Sequence, residues 1–354
     1  MKRSSTNNGK LSNRDLAELL AAEAQNSSYP LQRAFRKAAR AAFLWPTEAA
    51  ELVRRKRALT ELNSVGPFIE KLIRKWLEHP PKVPAPDATR RNFFTWPEAQ
   101  AILQKQPDWK AGVRGDLQMH TEWSDGSGTV RSMAQAAIER GYEYIAITDH
   151  ARGLKIAGGI NEEELAEQGL EIKNLNDEFA TKNFRILRSI ELNLNTAGKG
   201  DMEPRALEGL DLVLGAFHSS LRKSDDQTER YLAALKNPHV HILGHPRGRI
   251  YNYRLGLRAD WPRVFDLAAR LGKAVEIDCY PDRQDMSLDL IKLARDSGMT
   301  ISLGTDSHHP WQLDFINLGL AAAAAAKVPK ERILNFRPAR EVLSWASSLR
   351  RKGQ

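Results

Sequence analysis

From Asp116 onward, short apolar runs rich in Ile and Val alternate with longer stretches in which apolar residues recur every three or four positions. The short runs are 116–120, 144–148, 185–189, 212–216, 240–244, 274–277 and 300–303. Their length and β-branched content predict buried strands, and the stretches between them predict helices. Seven consecutive strand–helix units predict an α/β fold with a parallel sheet, closed into a distorted seven-stranded (β/α)7 barrel; an open doubly wound sheet is the structural alternative.

The first third reads differently. A helical period covers 12–25, with Leu16, Leu19 and Leu20 on one face and Ser12 or Asn13 as its cap. A second helix is expected over 30–43, opened by Pro30, and a third from Thr47 to about Arg57. Residues 59–77 read as helix, tight turn, helix, with Pro67 opening the second helix just after Gly66. Pro80, Pro81, Pro84 and Pro86 make 79–91 a semi-rigid spacer. Phe93, Phe94 and Trp96 are expected to dock on the second domain, and Thr95 and Pro97 to start a short helix reaching Lys105. The boundaries are thus a helical domain over 1–79, a linker and docking segment over 80–110, and the barrel over 111–354. Residues 1–10 read as disordered. At the other end, the alanines of 321–326 read as a helix packed tightly on the barrel. Pro329 breaks it, a last amphipathic helix carries Trp345, and Arg350, Arg351 and Lys352 are expected to be solvated.

Polar residues fall at the strand ends. Gln118 and His120 share one face of the first strand, and Asp125 follows on the next loop. The second strand ends in Asp149 and His150, the third in Glu191, the fourth in His218, the fifth in His245, and the last in Asp306 and His308. Barrel enzymes build their sites at the C-terminal strand ends. Imidazoles and carboxylates gathered there are the donor set of a divalent-metal site. Of the other histidines, His241 is expected in the core or behind the site, and His239 and His309 on the surface. Asp149 is placed to orient a ligand ring or to lie just behind the ligands, and Asp278 to touch substrate or anchor structure.

Charge and cysteine content refine the picture. Residues 1–110 hold 20 Lys/Arg against 11 Asp/Glu, so the whole net charge of +9 lies there; the remaining 33 and 33 cancel. That asymmetry points to a polyanionic partner for the first third, or to a solvated basic face. Cys279 is the single cysteine, no apolar run is long enough for a membrane span, and Met1 to Lys10 has no apolar core. A cytoplasmic protein without a membrane role is expected, its oligomeric state open.

Gly115-Asp-Leu-Gln-Met-His-Thr-Glu-Trp-Ser-Asp-Gly126, Ile147-Thr-Asp-His150, Glu191, Ala216-Phe-His218, Gly244-His-Pro-Arg-Gly-Arg249 and Gly304-Thr-Asp-Ser-His308 together resemble the PHP (polymerase and histidinol phosphatase) family. The subtype is similar to the PHP domain of bacterial family X DNA polymerases. The 59–77 hairpin, with Arg33, Arg36 and Lys37 upstream, resembles the helix-hairpin-helix domain that opens those polymerases. About 40 residues separate the two parts, leaving no room for a polymerase core between them.

The resemblance implies two or three divalent ions per chain, Mn2+, Zn2+ or Fe2+. Gln118, His120, Glu191 and Asp306 would surround one. Glu191, His218 and His245 would hold the second, with Glu191 bridging, and Asp125, His150 and His308 the third. Gln118 stands where the family has His; an amide oxygen is a harder, weaker ligand, which favours manganese or an empty position. Glu191, His218, His245 and Asp306 would carry catalysis, by metal-activated hydroxide attack on phosphorus. Arg249 and Arg283, then Arg247 and Arg222, are candidate phosphate clamps, with Arg152 near another ligand. Ser64, Gly66, Lys71, Arg74 and Lys75 would meet DNA phosphates without sequence preference. The Schiff-base lysine of lyase-active relatives would fall at Leu72, so lyase chemistry is not implied. The function expected is a DNA phosphoesterase, a 3′–5′ exonuclease or a 3′-end-processing enzyme of repair. A small-molecule phosphatase and a non-catalytic DNA-binding accessory protein are the alternatives.

Overall fold

The computed structural model describes residues 11–353; the stretch read as disordered, residues 1–10, lies outside them. The chain divides into two compact units between Ala101 and Ile102.

The first unit is helical. Helix α1 (Asn13–Asn26) starts at Ser12, whose hydroxyl accepts the Asp15 amide while the Asp15 carboxylate returns to the Ser12 amide. This reciprocal cap satisfies two amides that the first turn leaves without partners. Leu16 and Leu20 pack against α2 (Leu31–Ala41), α3 (Ala49–Arg54) follows, and Trp45, Leu59 and Ile73 fill the core. The first arm of the expected hairpin is a single 3₁₀ turn, Leu59–Glu61, rather than a helix. Glu70, on α4 (Pro67–Glu78), accepts the Leu59 and Thr60 amides, so a side chain eleven residues away replaces a longer helix. Between the two arms, Ser64 sits in the left-handed region at φ 66°, where glycine is the easier residue.

The proline-rich stretch falls within this unit. Arg90 and Glu18 form a buried ion pair at 2.9 Å. Phe93 packs edge-on against Phe43, whose carbonyl accepts the Trp96 amide. Helix α5 (Trp96–Gln104) starts one residue past Thr95, whose amide is taken by Glu98.

The second unit alternates as its sequence does. After α6 (Pro107–Ala111) come β1 (Gly115–Asp116), α7 (Val130–Glu139), β2 (Tyr144–Ile147), α8 (Glu162–Phe179), β3 (Arg185–Arg188), β4 (Glu191–Asn193), α9 (Pro204–Glu208) and β5 (Leu214–Ala216). Then follow α10 (Thr228–Lys236), β6 (Ile242–Leu243), α11 (Trp261–Leu271), β7 (Ala274–Asp278), α12 (Leu288–Ser297), β8 (Thr300–Gly304), α13 (Ile316–Ala325) and α14 (Ala339–Gly353). All strands pair in parallel, in the orders β1-β2-β3 and β4-β5-β6-β7-β8.

The expected third strand is two strands, β3 and β4. Ser189 and Ile190 lie between them, where the chain passes from one sheet to the other. The Glu191 amide bonds to the Asp149 carbonyl, and the Ala151 amide bonds to that of Glu191. The first and last strands are joined as well. Met119 bridges Ser307, the His120 amide reaches the Ser307 carbonyl at 2.7 Å, and Asn335 bonds both Gly115 and Leu303. Leu117, Tyr144, Leu187, Leu214 and Ile242 form the core beneath, with Val342 and Ala346 of α14. The run of small residues in α13 is buried, as its composition predicts. Arg350 donates to the Leu210 carbonyl and is not simply solvated.

Candidate metal centre

Because the strands are parallel, their C-terminal ends lie at one face, and the residues picked out by their positions in sequence meet there. Glu191 is the hub and is fully buried. Its Oε1 lies 2.7 Å from His245 Nε2 and 2.9 Å from His218 Nε2. Its Oε2 lies 3.2 Å from Gln118 Nε2, 3.3 Å from His120 Nε2 and 3.4 Å from His150 Nδ1. Asp306 Oδ1 stands 2.9 Å from His120 Nε2. Asp125 Oδ1 lies 3.3 Å from His308 Nε2 and 3.6 Å from His150 Nε2.

Three groups of ligand atoms emerge, each within 4.8 Å: His120, Glu191 and Asp306; His150, Glu191 and His218; and His120, Asp125, His150 and His308. All nine sequence-derived candidates converge, but the division differs. His150 joins two groups, presenting Nδ1 to Glu191 and Nε2 to Asp125, and His120 also joins two. His245 touches only the Oε1 side of Glu191.

The donor set fits divalent cations. Two histidines have a tautomer set from behind: His308 Nδ1 faces the Asp306 carbonyl at 2.7 Å, and His218 Nδ1 faces Asn193 Oδ1 at 3.2 Å. Each therefore turns the lone pair of Nε2 inward, as a metal ligand must. The acceptor Gln118 Oε1 is among the atoms buried without hydrogen-bond partners. Such atoms are costly in an apolar interior and cheap beside a cation. Charge follows the same logic. Burial alone would raise Glu191, yet His150, His245 and His218 hold it well below the usual carboxylate range. Burial and the neighbouring His120 push His150 down to about 3, leaving it neutral and able to ligate.

Several supports were not legible as such. Asp149 takes the second of its two expected places, behind the ligands: its carboxylate accepts the Thr121 amide and hydroxyl and the Ser124 hydroxyl, and Gln168 completes its shell. It thereby pins the loop that carries Asp125. Gly126 closes that loop against the backbone, where a Cβ would stand 2.6 Å from the His120 carbonyl. Glu276 accepts the His245 amide, and Asp285 accepts that of Arg247. Glu276 and Asp278 share the inward face of β7; two acids on the buried side of a strand were the available signal for this shell. Asp278 accepts the Tyr280 amide and lies 3.9 Å from Arg283.

Among the candidate clamps, Arg283 contacts Asp306 directly. Arg249 is buried, which lowers its guanidinium to about 10, and Arg247 is half-buried. Arg222 lies over the Tyr253 ring, and Arg152 is committed to the Asp201 carbonyl and Glu162. In the first unit, Lys71 and Lys75 are exposed and Gly66 precedes α4, whereas Arg74 is tied to Glu70 and the Arg57 carbonyl. His241 is buried and accepts the Val213 amide, His239 is half-buried and His309 is exposed.

Residues 116–305, more than half of the chain, match the PHP domain model. The chain belongs to the PHP family. Members of this family are hydrolases, and the chain's relatives include an exonuclease and phosphatases by name. DNA polymerase/3′-5′ exonuclease PolX of Bacillus subtilis is 37% identical over 231 residues, covering 65% of this chain and 40% of that protein. The chain thus spans well under half the length of that relative. Probable phosphatase YcdX of Escherichia coli K12 is 26% identical over 238 residues, 66% of this chain and 94% of that one. The crystal structure of histidinol phosphate phosphatase from Lactococcus lactis, complexed with zinc, L-histidinol and phosphate, aligns at a TM-score of 0.40 and 18% identity, covering 68% of this chain and 93% of that one. No helix of the described residues is long and apolar enough to cross a membrane.

Proposed function

We propose that this PHP chain is a metal-dependent phosphoesterase that removes or cleans nucleotides at DNA 3′ ends. The observation that carries this is the sharing of Glu191, one oxygen facing His218 and His245, the other His120 and His150. Divalent ions held by those groups would supply Lewis acidity to a water and to the phosphoryl oxygens. The protein's part is placement. Ionised Glu191 fixes the spacing between the two sides, and Asp306 and His120 close one wall. Arg283, beside Asp306, offers a guanidinium to a non-bridging phosphate oxygen. We read the joined ring of strands as the distorted seven-position barrel that holds these groups rigid.

DNA as substrate is supported by the charge confined to the first third and by the turn through Ser64 and Gly66 into α4. Lys71 and Lys75 stand exposed on that helix, whose N-terminal amides suit a phosphate. The named exonuclease activity of the B. subtilis relative points the same way. A second reading, a small-molecule phosphatase, is favoured by the near full-length match to a probable phosphatase.

One experiment separates the readings. The full chain with Mn2+ is given a labelled 3′-recessed duplex and, separately, a small phosphomonoester. A ladder of shortened strands supports the first reading, and phosphate released from the ester alone supports the second. His218→Ala abolishes either product; persistence of product would show that the reaction lies elsewhere.

A further inference from the structure

The loop after β6 carries a small rigid hairpin that none of the roles above uses. Ile250 and Arg254 pair antiparallel, exchanging bonds of 2.9 and 3.0 Å between their amides and carbonyls. Asn252 turns the tip through the left-handed region at φ 54°. The base is anchored, since the Tyr251 amide bonds to the Asp282 carbonyl at 2.7 Å and Arg254 Nε to the Gly248 carbonyl at 2.5 Å. On this fixed tip Tyr253 is 60% exposed. Arg222, four residues past His218, lies 4.8 Å over the Tyr253 ring and bonds its hydroxyl.

The hairpin borders the metal centre through Asp282, whose neighbour Arg283 contacts Asp306. Positive charge gathers along this path. Burial lowers Arg254, and the nearby charges of Arg283 and Arg222 lower it further. Arg222 and Arg254 give these hydrogen bonds to a hydroxyl and a carbonyl, which do not neutralise a guanidinium. A line of guanidiniums leading from a phosphate site attracts further phosphates. An exposed ring on a fixed tip, backed by a cation, offers its free face to a flat partner.

We infer that Tyr253 is a stacking platform for a nucleobase of the same strand whose phosphate enters the metal centre, with Arg254 and Arg222 holding the phosphates between. This rests on the phosphoesterase reading and narrows its substrate to an oligonucleotide strand of two or more residues. A small phosphomonoester carries no second nucleotide to set on the ring.

The test uses the full chain with Mn2+ and two labelled single-stranded tetranucleotides, one normal and one lacking its bases, beside p-nitrophenyl phosphate. The wild type prefers the base-bearing strand in kcat/KM by about tenfold. Tyr253→Ala removes that preference and leaves p-nitrophenyl phosphate turnover unchanged, while Tyr253→Phe keeps the preference. Equal preference in wild type and Tyr253→Ala overturns the platform. Failure of the wild type to cut any strand refutes the DNA reading instead. The same two strands, followed by fluorescence anisotropy, then decide the platform: loss of base-dependent binding in Tyr253→Ala supports it, and unchanged binding overturns it.

Discussion

Gln118 shows what one residue changes in this centre. Its Nε2 donates to Glu191 while its Oε1 is buried without a partner, close to where a Cβ on Gly304 would stand. An amide offers a cation one modest oxygen; an imidazole offers a nitrogen better suited to zinc. Gln118→His is therefore expected to tighten Zn2+ binding by roughly tenfold or more, with a smaller gain for Mn2+. Calorimetric titration of both metals checks this, and equal gains for the two would contradict it. His241 makes a different residue-scale prediction. Burial depresses its imidazole to about 3, so the unfolded chain binds a proton there that the folded chain refuses. Stability from neutral His241 is complete above about pH 6.5 and is lost as pH falls towards 3. Replacing it with Gln, which keeps an acceptor for the Val213 amide, should flatten denaturant-measured stability in that window by up to about 1.4 kcal/mol per pH unit.

At the scale of elements, the metal centre depends on loops held from outside it. Asp149 ties down residues 121–124 and thereby fixes Asp125 without reaching it through any bond of its own. Asp149→Ala should lower metal bound per chain at limiting Mn2+, as counted by elemental analysis, and leave the His218 side loaded. Strand positions were legible because buried parallel strands are short apolar runs, and their polar ends announced nearly the whole donor set. The break between β3 and β4 was not legible. It arises because Glu191 changes hydrogen-bond partners from one sheet to the other, which no local pattern records. The 3₁₀ turn at Leu59 escaped for a similar reason, since its amides are satisfied by Glu70 from the next helix. Asp285 supports the centre through the Arg247 amide, and a loop residue of that kind carries no spacing signature.

At the scale of the molecule, the chain joins a basic helical unit to a charge-balanced PHP unit. Phosphates neutralised by the first should release counterions, so duplex affinity should fall steeply with salt. Replacing Lys71 or Lys75 with Glu should reduce the slope of log K against log salt by about 0.9 for each phosphate that is no longer neutralised, with the metal content of the chain unchanged. The central claim is that strand ends brought together by this fold share Glu191 between cations. Crystals of the full chain grown with Mn2+ and measured for anomalous scattering test it most directly. Peaks are expected on both sides of Glu191, one beside His218 and His245 and one beside His120 and Asp306, each about 2.2 Å from a carboxylate oxygen. Full Mn2+ exposure with no anomalous peak in contact with Glu191 would contradict the account.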